Sequence, residues 1–288
     1  MMVLANGIAL HVEQRGAGVP ALVFLHYWGG SSRTWRHVVE ALEPEFRTVA
    51  IDQRGWGQSQ APTRGYALAD MADDAQAVIA TLDLECYILV GHSMGGKVAQ
   101  LIASRRPHGL AGLVLVAPAP PCPMRLPRAV REGMVRAYDT RDSVIATVDQ
   151  VLAPDGLSQR DLETVIADSL TGAPAARVAW PLVTSQEDIT AAVANIDVPV
   201  IVISGANDRV DPPDVLRREL LPLIPQARMH VLDHVGHLSP FEAPDDISGL
   251  VRSFALSLIE DETEFATGTG GAVKRRCSRC GASIAAIV

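Results

Sequence analysis

Residues Cys86-Tyr87-Ile88-Leu89-Val90-Gly91-His92-Ser93-Met94-Gly95-Gly96-Lys97 carry a G-x-S-x-G pattern at the end of an apolar run. Val98, Ala99, Leu101, Ile102 and Ala103 follow at helical spacing, and Pro107 stops them. Strand, sharp turn with a central serine, then helix is the order that a nucleophile elbow requires. Side chains beside the serine would collide where strand and helix nearly touch, and Gly91 and Gly95 remove them. Strain in such a turn lifts the Ser93 hydroxyl above the sheet, beside a helix N-terminus that favours developing negative charge. Gly/Ser pentads also arise by chance in glycine-rich turns. The flanking strand and helix separate this one from that background.

Outward from the elbow, the same kind of run recurs. Ala21–Leu25, Thr48–Ile51, Leu113–Ala117, Val200–Ile203 and Met229–Leu232 are short and nearly all apolar, as is Tyr87–Val90 itself. Strands buried on both faces of a parallel sheet have this composition. Helical spacing lies between them, over Thr34–Leu42, Leu68–Leu82 and Asp246–Leu258. At the start of the chain Asn6-Gly7 separates two apolar runs, which signals a hairpin. The expectation is an α/β fold. Its sheet is eight-stranded and mostly parallel, with an antiparallel N-terminal hairpin and helices on both faces.

One interval breaks the alternation. From Pro118 to Asn195 there are helical patterns near Arg128–Tyr138, Ser143–Leu152, Gln159–Leu170 and Gln186–Ala194, but no strand. It is far longer than an ordinary connection. It reads as a helical cap inserted after the sixth strand, over the sheet edge where ligands bind in open α/β folds. The plainer alternative is a set of ordinary packing helices. The expected division is 1–118 for the first part of the core, 119–195 for the cap, 196–259 for the second part and 260–288 for a disordered tail.

The chain has 288 residues and a net charge of −8, which argues against a nucleic-acid partner. No run of apolar residues is long enough to span a membrane, and the first residues lack the pattern of a secretory signal; the expected location is the cytoplasm. Four cysteines do not make a disulfide framework in a chain of this size. Cys86 reads as a buried, inert thiol, and Cys122 has no visible partner. The tail holds an acidic run from Glu260 to Glu264, a glycine-rich linker, and the basic segment Lys274-Arg275-Arg276-Cys277-Ser278-Arg279-Cys280. Its single C-x2-C is half a metal site without an obvious second pair, so no function is assigned to it. No metal or organic cofactor is expected, because neither a His/Glu ligand motif nor a dinucleotide fingerprint is present.

A serine hydroxyl needs a base, and the base needs an orienting carboxylate. Asp208 lies in Ile203-Ser204-Gly205-Ala206-Asn207-Asp208-Arg209, just past one buried strand. His237 lies in Asp233-His234-Val235-Gly236-His237-Leu238, just past the next. Both therefore sit on loops at the carboxyl edge of the sheet, as Ser93 does. Asp211 and His234 are the nearby competitors for the two roles. Asp52 ends a strand before a glycine-rich turn, where its carboxylate is expected to stabilise the turn.

These pieces, with Phe24-Leu25-His26-Tyr27-Trp28 and Asp52-Gln53-Arg54-Gly55-Trp56-Gly57-Gln58-Ser59, resemble the α/β-hydrolase superfamily over about residues 1 to 258. Within it the chain is similar to the cofactor-free haloperoxidase, arylesterase and lactonase-like branch. The resemblance implies an α/β-hydrolase fold with Ser93 as nucleophile, His237 as base and Asp208 as its orienting acid. It favours Asp208 over Asp211, and His237 over His234, because only His237 follows the matching glycine. It implies oxyanion donors at the backbone N–H of Met94 and of Trp28, with Tyr27 as the fallback. His26 would brace the oxyanion loop. Tyr27 stands where the family commonly has glycine, and Gly29 and Gly30 follow it directly.

Tyr27, Trp28 and His92 are the candidate substrate-binding residues, although the neighbours of His92 force its side chain away from the base position, which reads as a structural role. Met124, Leu126, Val130, Met134, Val135, Tyr138 and Trp180 are apolar cap residues, read mainly as the cap's own core. Arg125, Arg128, Arg131 and Arg136 cluster on the first cap segment and read as a solvated face, with recognition of a substrate carboxylate as the alternative. The expected function is hydrolysis of a small to medium carboxylic ester or lactone, with a small-molecule partner, no nucleic acid and no membrane. The alternatives are a carbon–carbon bond hydrolase of a diketone-like aromatic breakdown product, and a non-catalytic ligand receptor on the same fold. Perhydrolase or haloperoxidase chemistry would be a side reaction of the same site.

Overall fold

The structure, a computed structural model, describes residues 1–262, 274–281 and 283–284. The chain runs β1 (Met2–Ala5), β2 (Ile8–Arg15), β3 (Ala21–Leu25), α1 (Arg36–Leu42), β4 (Thr48–Ile51), α2 (Leu68–Thr81), β5 (Tyr87–His92), α3 (Met94–Ser104) and β6 (Leu110–Val116). Then come α4 (Arg128–Met134), α5 (Arg141–Thr147), α6 (Gln159–Thr171), α7 (Pro174–Leu182) and α8 (Thr190–Val193). It closes with β7 (Val200–Gly205), α9 (Pro213–Glu219), β8 (Arg228–Leu232), α10 (Ser239–Glu242), α11 (Pro244–Ser257) and the short strands β9 (Ile259–Glu262), β10 (Lys274–Cys277) and β11 (Ser283–Ile284).

The main sheet has eight strands in the order β1-β2-β4-β3-β5-β6-β7-β8. β1, β2 and β4 pair antiparallel, with Asn6-Gly7 turning the hairpin at positive φ in both residues. The pairs from β4 through β3, β5, β6 and β7 to β8 are all parallel. The two-residue period of a strand divides the core. Val23 and Leu25 of β3 and Leu89 of β5 face the layer that contains α2 and α3. Leu22, Phe24, Ile88 and Val90 face the layer that contains α1 and α11. That is why these strands are apolar at every position rather than alternating.

Chain order reverses across the sheet centre. From β3 the chain crosses to β4 on one side, then returns to β5 on the other, so the loops after β3 and β5 diverge. A crevice opens at such a switch point, at the carboxyl ends of the strands.

Several elements depart from the sequence reading. The helix expected over Gln186–Ala194 is a 3-10 turn at Thr184–Gln186 followed by the four residues of α8. α7 has no counterpart in the sequence reading. Pro174 opens it, which suits a first turn that needs no N–H, while Pro181 inside it masked the pattern. β8 is the half-exposed edge strand rather than a buried one. Cys86 is not a free thiol: it is bonded to Cys280, and the two Cα atoms lie 5.8 Å apart. The disordered-tail expectation lies outside the described residues for 263–273, 282 and 285–288. Where the tail is described, β9 pairs with β10, and β10 with β11.

A buried ion pair ties the loop after β4 to α2. The Arg54 guanidinium donates from Nε and Nη2 to the two carboxylate oxygens of Asp74, each at 2.6 Å, and both side chains are buried. Asn6 Nδ2 also donates to Asp74, at 2.9 Å, so the hairpin joins the same node. Asp74→Ala strands the guanidinium in the interior and should lower the unfolding free energy by about 3–5 kcal/mol, read from urea denaturation.

Candidate active site

The turn between β5 and α3 is strained as the sequence pattern demands. Ser93 has φ +52° and ψ −113°, a region that non-glycine residues rarely occupy. Its N–H donates to Val116 O of β6 at 3.1 Å, which anchors the turn to the neighbouring strand. A Cβ on Gly91 would lie 2.5 Å from Gly95 O, and one on Gly95 would lie 2.5 Å from Leu25 O and 2.6 Å from His26 O. Strand, helix and the loop after β3 are therefore in backbone contact at this point.

Three side chains from three strand ends converge here. His237 Nε2 lies 2.9 Å from Ser93 Oγ, and His237 Nδ1 lies 2.9 Å from Asp208 Oδ2. With Asp208 ionised, Nδ1 carries the proton and Nε2 presents its lone pair to the serine hydroxyl. Asp208 Oδ1 accepts from the N–H groups of Val210 and Asp211, at 2.8 and 3.0 Å. Burial pushes the Asp208 carboxyl up, but the facing His237 charge, its hydrogen bond and the two backbone donors outweigh this and hold it below its ordinary value. Burial pushes His237 down, and the Asp208 charge and hydrogen bond more than reverse this, so it sits above the ordinary histidine value. Gly205 brings the acid loop close: a Cβ there would lie 2.2 Å from Val235 O.

The loop after β3 is held from several sides. His26 is buried; its Nδ1–H donates to Tyr27 O at 2.7 Å, and its Nε2 accepts from Gln53 N at 2.9 Å. Burial lowers its pKa, in keeping with a neutral ring used for positioning. Tyr138, between α4 and α5, donates its hydroxyl to Trp28 O at 2.9 Å and stacks on Trp28 with ring centroids 4.3 Å apart. Ser169 of α6 donates to Gly29 O at 3.0 Å. Among the described residues, the N–H groups of Met94 and Trp28 donate to no protein acceptor.

His92 does not touch substrate space, contrary to the sequence expectation. It is the last residue of β5, is fully buried and does not line the cavity beside Ser93. Its ring is enclosed by Tyr27, Trp35 and His237, and its Nε2–H donates to His237 O at 2.8 Å. Burial, with the His237 charge adding, lowers its pKa to about 3. It is a neutral ring that supports the histidine loop. His234 is exposed and remote from the serine hydrogen bond. Asp52 accepts from Ser32 N at 2.6 Å and Gln58 N at 2.8 Å, which is turn stabilisation. Leu152, from the segment between β6 and β7, accepts from His237 N at 2.7 Å.

A cavity of about 650 Å³ opens beside Ser93 and His237. Tyr27 and Trp28 line it, as do Met124, Leu126, Val130, Met134, Tyr138 and Trp180, so most of the apolar residues read as cap core face this space instead; Val135 does not. Of the arginines, Arg125 and Arg136 reach it, whereas Arg128 is paired with Glu132.

Three further polar residues stand out by their burial: Asp211, weighed in the sequence only as a competitor for the acid, and Lys97 and Glu242, which no local pattern marks. Asp211 lines the cavity and its carboxyl is pushed up to about 8 by burial, the His237 charge opposing and the Asp208 charge adding. Lys97, four residues past Ser93, is buried and lowered to about 8 by burial; its ammonium donates to Cys122 O at 2.9 Å. Glu242 accepts from Gly236 N at 2.8 Å and is raised to about 7, chiefly by burial.

Comparison with known proteins agrees with this architecture. A family model described as the alpha/beta hydrolase fold matches residues 20–158. The AB hydrolase superfamily protein YisY of Bacillus subtilis (strain 168) is 30% identical over 265 residues, covering 87% of this chain and 96% of its own. A non-heme haloperoxidase of Rhodococcus erythropolis is 28% identical over 250 residues, covering 81% and 90%. The solved esterase of Exiguobacterium antarcticum superposes with a TM-score of 0.82 at 21% identity, covering 89% of this chain and 99% of that one. The chain belongs to the α/β-hydrolase superfamily.

The electrostatics set the sign of a pH test. A base must be neutral, and His237 sits above its ordinary 6.5, so kcat/KM should fall with decreasing pH through a value above 6.5. Asp208→Asn removes the interaction that raises His237. The acid limb should then move to lower pH and the rate drop by up to about 10⁴-fold. Asp211→Asn leaves the relay intact and should cost less than about tenfold, about 1.4 kcal/mol of barrier. Equal losses in the two variants, from steady-state kinetics across pH, would reassign the acid.

Proposed function

We propose that this α/β-hydrolase cleaves small to medium carboxylic esters or lactones through an acyl-enzyme on Ser93. The observation that carries the reading is the unbroken hydrogen-bonded chain from Asp208 through His237 to the Ser93 hydroxyl, at the mouth of an apolar cavity. His237 Nε2 takes the Ser93 proton as the hydroxyl oxygen attacks the substrate carbonyl carbon. The N–H groups of Met94 and Trp28 receive the resulting oxyanion; both are unengaged by protein acceptors, and Met94 adds the positive end of α3. The protonated His237 passes its proton to the leaving alkoxide oxygen. Water then attacks the acyl-serine with the same histidine as base, releasing the acid and restoring Ser93. Asp208 stays ionised throughout and stabilises the imidazolium.

In this reading the segment 119–195 is a cap that shapes the acyl pocket. The dominance of Trp28, Met124, Met134, Tyr138 and Trp180 in the wall suits an apolar acyl group. The names of relatives point the same way in class only: one is an esterase, another a haloperoxidase.

The test is turnover of p-nitrophenyl esters from acetate to decanoate by the intact chain and by Ser93→Ala. The expected outcome is hydrolysis with a chain-length optimum, falling about 10⁴-fold or more in the variant. If the intact chain turns over none of the series, the ester reading fails, and carbon–carbon hydrolysis or ligand sensing takes its place. Activity that survives in Ser93→Ala removes the serine from the nucleophile role.

A further inference from the structure

Three of the four cysteines meet at the amino edge of the sheet, the edge opposite Ser93. The Sγ atoms of Cys86, Cys277 and Cys280 all lie within 4.8 Å of one another. Cys86 immediately precedes β5, Cys277 ends β10, and Cys280 closes the turn that follows. Cys86 and Cys277 are buried and Cys280 is half-buried. The Cys86–Cys280 disulfide uses two of these sulfurs. The third, Cys277, is a free thiol packed against that bond with no hydrogen bond among the described residues. A disulfide tether needs two cysteines; the third has no part in it.

The backbone around the pair has the form that presents two thiolates to one metal. Cys277-Ser278-Arg279-Cys280-Gly281 is a tight turn between β10 and β11. Gly281 N donates back to Cys277 O at 2.9 Å, and Gly281 takes φ +70°, where glycine is favoured. Ser278 N donates to Leu258 O at 3.0 Å, which seats the turn on the end of α11. Two sulfurs of a C-x2-C spacing, with a third thiol from elsewhere in the chain, are a recurrent donor set for tetrahedral zinc. The mutual distances fit: thiolates about 2.3 Å from one zinc ion lie less than 4.8 Å apart.

Charge points the same way. Zinc held by three thiolates carries a net charge of −1, and the segment Lys274-Arg275-Arg276-Cys277-Ser278-Arg279-Cys280 is strongly basic. The sulfurs belong to the apolar cluster that also holds Val19, Phe254 and Leu258, with Cys86 and Cys277 buried and Cys280 half-buried. Free thiolates would be costly there, whereas metal-bound ones are neutralised.

We propose that Cys86, Cys277 and Cys280 form a site for one soft divalent cation, Zn²⁺, in the reduced protein, with water as the fourth ligand. Loading begins from the open disulfide: a phosphine reductant and one water convert Cys86–Cys280 to two thiols and become the phosphine oxide. Three thiols then bind Zn²⁺ and release three protons. The bound ion would clamp the C-terminal segment to the start of the strand that ends in the elbow. This is a fold-stabilising role, separate from ester cleavage, and it stands or falls independently of the proposed activity.

The test uses the intact chain, reduced with a phosphine without oxygen, stripped with a chelator, and titrated with Co²⁺ and then Zn²⁺. The expected result is one equivalent bound, thiolate-to-cobalt charge-transfer bands, and their loss as Zn²⁺ displaces Co²⁺. Cys86→Ser and Cys277→Ser should each weaken binding beyond the roughly 10- to 100-fold cost of an outer-shell change. Cys122→Ser should bind as the parent does. A measurement without variants covers a Cys86 substitution that fails to fold: Zn²⁺ should shield three thiols from alkylation, read by mass spectrometry. Absence of charge-transfer bands, protection of only two thiols, or unchanged binding in folded Cys86→Ser would each overturn the three-thiol site.

Discussion

The rest of the site depends on a backbone collision avoided by one hydrogen atom. Gly95 lies so close to the end of β3 that a Cβ would meet the carbonyl oxygens of Leu25 and His26 at 2.5 and 2.6 Å. Because α3 can approach this closely, its N-terminus, the Ser93 hydroxyl and the loop after β3 share one small volume. The strained conformation of Ser93, at φ +52°, is stabilised by this packing and by the bond from its N–H to Val116 O. The proposed oxyanion donors, Met94 and Trp28, come from two separate loops and require such proximity, since each must lie within hydrogen-bond reach of the same oxygen.

The segment between β6 and β7 is more than a roof. Tyr138 and Ser169 hold the carbonyls of Trp28 and Gly29, while Leu152 accepts from the N–H of His237. One segment thus restrains both the loop after β3 and the loop that carries His237, and its apolar side chains form much of the cavity wall.

Burial creates the electrostatic contrast on which the proposed chemistry runs. Asp208 and Asp211 are three residues apart and both buried, yet one carboxyl is held below its ordinary value and the other is raised to about 8. The difference is partners: Asp208 has His237 and two backbone N–H donors, whereas the Asp211 carboxyl has no hydrogen-bond donor among the described residues. His92 and His237 diverge for the same reason. Both are buried, but only His237 faces a carboxylate.

The sequence by itself determined the layered fold and the elbow. Continuous apolar runs mark strands covered on both faces, and Gly91 and Gly95 around Ser93 mark where strand and helix must touch; both are local consequences of sterics and periodicity. It also offered Asp208 and His237 on loops at strand ends along one edge of the sheet, with the family resemblance favouring them over Asp211 and His234, and these two lie in hydrogen-bonded line with Ser93. Only the tertiary structure decided the rest. α7 was hidden by Pro181, and the His92 ring was enclosed among Tyr27, Trp35 and His237 instead of lining the cavity. Lys97, Asp211 and Glu242 drew their unusual titration from burial, which no residue pattern records. Cys86 met Cys280, 194 residues away, and with it Cys277 through the docking of the tail beside α11. Short-range geometry is written in neighbouring residues, whereas desolvation and long-range contact exist only once the chain has closed on itself.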